Sequence, residues 1–220
     1  IDEGIITKDP TRKVVIKGKD PGYKKKKFLS QNELQKLISR LELEDKISRD
    51  WFILLIAKTG LRFSEALALT PKDFDFTNQV IHINKTWNYK NKSGGFQPTK
   101  NSSSNRKVII DWQTSLQFAQ LTRDLPENKP IFVKKRIFNS TLNDYLQKLC
   151  RLEGIPIISV HGLRHTHASL LLYADVSIAS VSRRLGHSNI TTTQKTYIHI
   201  IQELENKDNN KMMQFLSSFV

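Results

Sequence analysis

Five of the six histidines fall between His161 and His199, with Arg164, Arg183, Arg184 and Tyr197 threaded among them. The stretch opens as His161-Gly-Leu-Arg164-His-Thr-His-Ala-Ser. It closes on Leu185-Gly-His187, with Tyr197 ten residues beyond His187. Guanidiniums brace phosphate oxygens, imidazoles carry protons near neutral pH, and a phenol becomes a nucleophile as it loses its proton. Together these types point to a phosphodiester bound by arginine and attacked by Tyr197. A second cluster, Thr59-Gly-Leu-Arg62-Phe-Ser-Glu65-Ala-Leu, lies far upstream. An arginine wedged between apolar neighbours needs a fixed anionic partner, and Glu65 is in reach. Arg62 is then either a structural ion pair with Glu65 or a guanidinium that Glu65 holds rigid for a phosphate oxygen.

The elements that must position these groups are mostly helical. Ser30 and Glu33 form a capping box ahead of Leu34, Leu37, Ile38 and Leu41 at helical spacing. A second helix carries Trp51 to Ala57 and stops at Gly60, and Ser64 caps a short helix through Leu69. Thr70-Pro-Lys-Asp73 restarts the chain as cap, first-turn proline and first-turn acid. Residues 79–111 alternate as one small antiparallel sheet, turning at Asn91 to Gly95, with a basic rim of Lys85, Lys90, Lys92, Lys100, Arg106 and Lys107. Helices resume at 112–123 and 140–152, separated by a short strand at Ile131 to Val133. The order is that of an α+β, mostly helical domain with a small antiparallel β-sheet.

On a helix from His161 to Tyr173, His161 and Arg164 share a face with His165 one turn above His161. His167 falls on the opposite stripe with Leu163, Leu170 and Leu171 and reads as a core histidine. A zinc site at His161, His165 and His167 is not supported, since no cysteine or carboxylate accompanies them. Ser177 caps a helix that stops at Gly186. Thr191 and Gln194 form a capping box that carries Tyr197 on a following helix. Helix, glycine turn, helix with Arg183 and Arg184 is also the pattern of a helix-turn-helix DNA reader, in which Tyr197 would only pack.

The 220 residues include 35 lysines and arginines against 21 acids, a formal charge of +14 that favours a polyanionic partner such as nucleic acid. The lone Cys150 lies in an apolar helical pattern and reads as a buried, inert thiol. Residues 1–27, broken by Asp9-Pro10 and Asp20-Pro21-Gly22 and ending in Lys24 to Lys27, read as a linker remnant. The run Trp51 to Ala57 is too short to span a bilayer.

Arg62, Glu65, the His161–Arg164 box, Leu185-Gly-His187 and Tyr197, in this order, resemble the tyrosine recombinase (phage integrase) family. The resemblance covers roughly residues 28–205 and implies a catalytic domain without metal or nucleotide cofactor. It assigns Tyr197 as a nucleophile forming a 3′-phosphotyrosine, and Arg62 and Arg164 as grips on the non-bridging oxygens. Lys100, in Thr99-Lys-Asn before the Arg106 strand, becomes the general acid, His161 handles the nucleophile's proton, and His187 gives the phosphate a further hydrogen bond. Implied partners are double-stranded DNA attachment sites and three further copies, in a tetramer on DNA from a monomer when free. Accessory DNA-bending or directionality proteins and a bacterial cytoplasmic setting also follow from the resemblance, as does a core-binding domain preceding residues 1–27. Rival functions are a type IB topoisomerase-like nicking and closing enzyme and a silent DNA-binding module. The 206–220 tail, with Met212, Phe215, Leu216 and Phe219 on one face, packs on its own domain by default; the resemblance suggests docking on a neighbouring protomer.

A chain that holds DNA through lysines and arginines releases counterions on binding. Raising monovalent salt from roughly 50 to 200 mM is expected to weaken DNA binding by about 10³-fold or more, measured by fluorescence anisotropy. Tight, salt-insensitive binding would contradict the charge argument.

Overall fold

A computed structural model describes residues 28–99, 101–134 and 138–219; the linker with Lys24 to Lys27, and Lys100, lie outside the described residues. The fold is α+β and mostly helical. α1 (Gln31–Ser39) begins at Ser30, whose hydroxyl accepts from the Glu33 N–H while Glu33 accepts from the Ser30 N–H at 2.6 Å. α2 (Arg49–Thr59) is buried on nearly every side, which explains why its sequence shows no polar stripe. It stops at Gly60, whose φ of +68° suits glycine. α3 (Phe63–Leu67) and a 3₁₀ turn at Pro71–Asp73 follow, the turn closed by the Thr70 N–H on Asp73 at 2.8 Å.

β1 (Phe74–Asp75), β2 (Val80–Ile83) and β5 (Arg106–Ile109) form an antiparallel sheet in the order β1-β2-β5, Ile83 opposite Arg106. β3 (Lys85–Trp87) and β4 (Phe96–Pro98) form a separate hairpin, so the single sheet expected over 79–111 is two. Ile81 and Ile83 are buried while Val80 and His82 are half-buried, as alternation requires. Lys85 leaves the expected basic rim because its ammonium is drawn onto the buried carboxylate of Asp73.

α4 (Trp112–Thr122), α5 (Asn139–Leu152), α6 (Val160–Tyr173), α7 (Ile178–Leu185), α8 (Ile190–Thr196) and α9 (Ile198–Ser217) complete the order. The expected strand at Ile131 to Val133 does not form. Ile131 donates one backbone bond to the Leu69 carbonyl at 2.8 Å, and Ile131 and Phe132 are anchored by burial rather than by a ladder. Cys150 is buried, and loss of hydration raises its thiol pKa, consistent with an inert residue.

The main core joins α1, α2, α5, the three-stranded sheet and the start of α6, with Phe52, Phe118 and Phe132 in edge contacts. A smaller core of Ala168, Leu172, Val181, Leu185, Tyr197, Ile200 and Ile201 ties α6 and α7 to the start of α9. Each large apolar side chain so buried contributes about 1.5–3 kcal/mol. The tail does not pack on its own domain: Met212, Met213, Phe215, Leu216 and Phe219 are 53–70% exposed. Residues 205–211, which precede them in the chain, are polar in type. Among the described residues no helix is long and apolar enough to cross a membrane.

A Cβ at Gly60 would sit 2.7 Å from the His167 ring and in a left-handed backbone. Gly60→Ala is therefore expected to cost about 1–3 kcal/mol, read as a lower urea midpoint. An unchanged midpoint would contradict this account of the α2 terminus.

Candidate active site

The site begins at the first turn of α3. Its N-cap is Arg62, not Ser64, because the Glu65 carboxylate already accepts the Arg62 N–H at 2.9 Å. The same carboxylate takes the Arg62 Nη1 at 2.7 Å and a forked pair from Arg106, Nη1 at 3.1 Å and Nη2 at 2.9 Å. Arg106 is thus no rim cation: its side chain is 6% exposed beside a Glu65 side chain that is 1% exposed. Burial would raise the Glu65 pKa, but the Arg106 bonds and charge, then Arg62, outweigh it and hold the carboxyl below its ordinary value. The Arg62 side chain stays 34% exposed, so it is an ion pair with Glu65 that keeps an open face.

Three consecutive carbonyls at the end of α7 meet three arginines. The Arg184 carbonyl accepts from Arg106 Nε at 2.6 Å, that of Leu185 from Arg164 at 2.8 Å, and that of Gly186 from Arg62 at 2.9 Å. A helix C-terminus leaves such carbonyls unpaired and carries partial negative charge, so cations satisfy both needs at once. Gly186, at φ +67°, lets the Arg106 guanidinium lie against it; an added Cβ would come within 2.9 Å. Arg164 is buried and takes a second carbonyl, that of Gly60, at 2.7 Å. Burial and the nearby Arg62 lower its pKa to about 9, which still leaves it charged at neutral pH.

Behind this layer His167 is a core histidine. Its Nδ1 lies 2.9 Å from the Ala57 carbonyl and so donates, which leaves Nε2 to accept from Arg184 Nε at 2.8 Å. Arg184 also holds the carbonyls of Lys58 and Ile109, fixing the end of α7 from below. Burial and Arg184 push the His167 pKa down to about 3.

His161, His187 and Tyr197 lie close enough to the arginines to feel their charge. Ser159 caps α6, placing His161 and Arg164 in its first turns, and the His161 pKa is lowered by desolvation, then by Arg164 and Arg62. His187 meets the Thr193 hydroxyl at 2.8 Å, and burial with Arg164, Arg62, Arg106 and His165 lowers its pKa to about 4. Tyr197 does not ride within a helix. Asn189, rather than Thr191, caps α8, because its side chain takes the Thr191 N–H, and Tyr197 is the joint between α8 and α9. Its ring is 2% exposed and its hydroxyl lies 3.0 Å from His165 Nδ1. Burial pushes the phenol pKa up to about 12, with Arg164 pulling the other way.

Arg62 and Arg164 thus share the α7 carbonyls, and His161, His187 and Tyr197 are coupled to them electrostatically or by contact. Lys100 lies outside the described residues, although the Ser104 carbonyl on the same connection accepts from Arg106 at 3.0 Å. Sequence reasoning misses two members. Arg106 has no local signal because its partner is distant in the chain. His165 does have one, standing one helical turn from His161, and the two rings meet edge to face at 4.7 Å.

Residues 27–203 match the profile of the Phage integrase family. The integrase of Staphylococcus phage L54a is 28% identical over 173 residues, covering 71% of this chain and 49% of its own length. A tyrosine recombinase of Pseudothermotoga lettingae is 32% identical over 189 residues, covering 85% of this chain and 61% of its own. The chain spans about half the length of the first of these relatives and somewhat more of the second. The Tn1549 transposon integrase, solved in complex with transposon right end DNA, superposes with a TM-score of 0.69 at 23% identity over 87% of this chain and 68% of that one.

Removing the Glu65 charge would leave Arg106 buried without its anion. Glu65→Gln is expected to cost about 3–5 kcal/mol at neutral pH, seen in thermal melts. Because the folded pKa of Glu65 lies below its ordinary 4.5, the wild type keeps this stabilisation above that pH and loses it as pH falls through the folded value. His167 and His187, depressed to about 3 and 4, likewise stabilise above their ordinary 6.5 and withdraw that support on acidification. Melting temperature should therefore drop from pH 6.5 downward, with the Glu65 component absent from the variant.

Proposed function

Because the chain belongs to the phage integrase family, we propose that it is the catalytic part of a site-specific DNA recombinase of a mobile element. Tyr197 attacks a DNA phosphorus, forms a 3′-phosphotyrosine and releases a 5′-hydroxyl; the hydroxyl of a second strand reverses the step. The observation that carries this reading is the convergence of Arg62, Arg164, His187 and the Tyr197 hydroxyl around the end of α7. Charge gathering on the non-bridging oxygens meets two guanidiniums already locked by carbonyls and Glu65, so little reorganisation is needed at the moment of attack. His187, depressed below neutrality, is an uncharged hydrogen-bonding imidazole at working pH. His161 handles the nucleophile's proton, and Lys100 protonates the leaving oxygen, in the roles the family resemblance gives these positions.

The partner is a double-stranded DNA attachment site, as the net charge of +14 favours. The Tn1549 transposon integrase carries DNA in its structure, which supports the same class of ligand here. Assembly is as a tetramer on DNA from a free monomer. The exposed apolar face of α9 beyond Leu204 docks on a neighbouring copy, since it is left uncovered on its own domain. Residues 1–27 connect to a DNA-binding domain, residues 28–205 cut and rejoin, and the setting is the cytoplasm of a bacterium. A silent helix-turn-helix reader is not favoured: it has no use for the Glu65-held Arg62 or for a buried phenol bonded to imidazole. Strand exchange between two duplexes separates a recombinase from a topoisomerase-like nicking and closing enzyme.

The test is a nicked suicide half-site, in which the short 5′-hydroxyl strand diffuses away after cleavage. A covalent protein–DNA adduct is expected on denaturing gels, abolished in Tyr197→Phe with DNA binding retained. An adduct that persists in Tyr197→Phe would overturn the assignment.

A further inference from the structure

We propose that His165 is a further catalytic residue, the group that receives the Tyr197 proton as the phenol attacks phosphorus. This rests on the recombinase reading and replaces the role the family resemblance gives His161 with one for His165. The Tyr197 ring is held in the small core with Ala168, Leu172, Val181, Leu185, Ile200 and Ile201, so its direction is set by packing. Among the described residues its hydroxyl meets His165 Nδ1, 3.0 Å away, the two rings inclined at 61°. His187 is committed through Nδ1 to Thr193. His161 stands one ring further out, edge to face with His165. Proton transfer requires a hydrogen-bonded acceptor within about 2.6–3.2 Å. The His165 nitrogen meets that requirement.

The step balances. The Tyr197 Oη–phosphorus bond forms as the phosphorus–O5′ bond breaks, the phenol proton passes to His165 Nδ1, and O5′ takes a proton from the general acid assigned to Lys100. The phenol is a poor nucleophile until then, because a pKa near 12 leaves it almost wholly protonated at neutral pH. For Nδ1 to accept, the neutral ring must carry its proton on Nε2.

Four measurements test this. His165→Asn keeps an amide near the Nδ1 position but takes no proton. With the suicide half-site in excess, His165→Asn and His165→Ala are expected to form adduct roughly 100- to 10,000-fold more slowly than wild type at neutral pH, with DNA binding unchanged. Their rates should climb about tenfold per pH unit where the wild type levels off. A half-site with sulfur in place of the bridging O5′ needs no leaving-group proton, so it should rescue Lys100→Ala and not His165→Asn. Independently of any variant, ¹⁵N shifts of the DNA-free chain should show His165 Nδ1 unprotonated. Adduct formation by His165→Asn within about threefold of wild type, its rescue by the sulfur substrate, or a protonated Nδ1 would each overturn the proposal. A wild-type chain that forms no Tyr197-dependent adduct would instead overturn the recombinase reading itself.

Discussion

One buried carboxylate organises the centre of this molecule. Glu65 accepts from the backbone of Arg62, from its guanidinium and from both terminal nitrogens of Arg106, and its side chain is 1% exposed. Without it, Arg106 would be a cation in a dry site and Arg62 a flexible surface arginine. With it, two arginines share one acid, and the positive charge left over faces outward through Arg62. Buried ion pairs stabilise only weakly once desolvation is counted. What Glu65 chiefly contributes is direction: Arg62 points where the carboxylate and the Gly186 carbonyl leave it to point.

The second organising feature is the C-terminal end of α7. Its last carbonyls have no helical partner, and each takes an N–H from a different arginine, drawn from the N-cap of α3, from β5 and from α6. Segments far apart in the chain are thereby brought to a common register by backbone oxygens, which have no alternative side-chain rotamers. Gly60 and Gly186 serve this arrangement in the same way: each ends a helix in the left-handed region and offers its carbonyl to an arginine. The geometry therefore depends less on the functional side chains than on where two helices stop.

Those stops are legible in sequence because their chemistry is local. The serine caps at Ser30 and Ser177 and the glycines at 60 and 186 bracket their helices within a few residues, whereas the cap expected at Ser64 falls on Arg62. Nonlocal partners are what sequence hides. Arg106 reads as an edge cation because its carboxylate lies 41 residues away, and Ile131 to Val133 reads as a strand because burial alone also selects apolar, β-branched residues. β1, at two residues, is too short to show alternation at all. Among the candidate site residues, type and order single out Arg62, His161, Arg164, His187 and Tyr197 as candidates. The contact between Tyr197 and His165 depends on how α6 and the α8–α9 joint meet, which no single segment records.

That joint has a mechanical consequence. Tyr197 donates its backbone N–H to Thr193 in α8, and its carbonyl receives the N–H groups of Ile200 and Ile201 in α9. The residue is at once the last link of one rod and the pivot of the next. The start of α9 is seated beside the phenol through Ile200 and Ile201, which share its small core, so the exposed far end of the helix and the buried oxygen belong to one continuous rod.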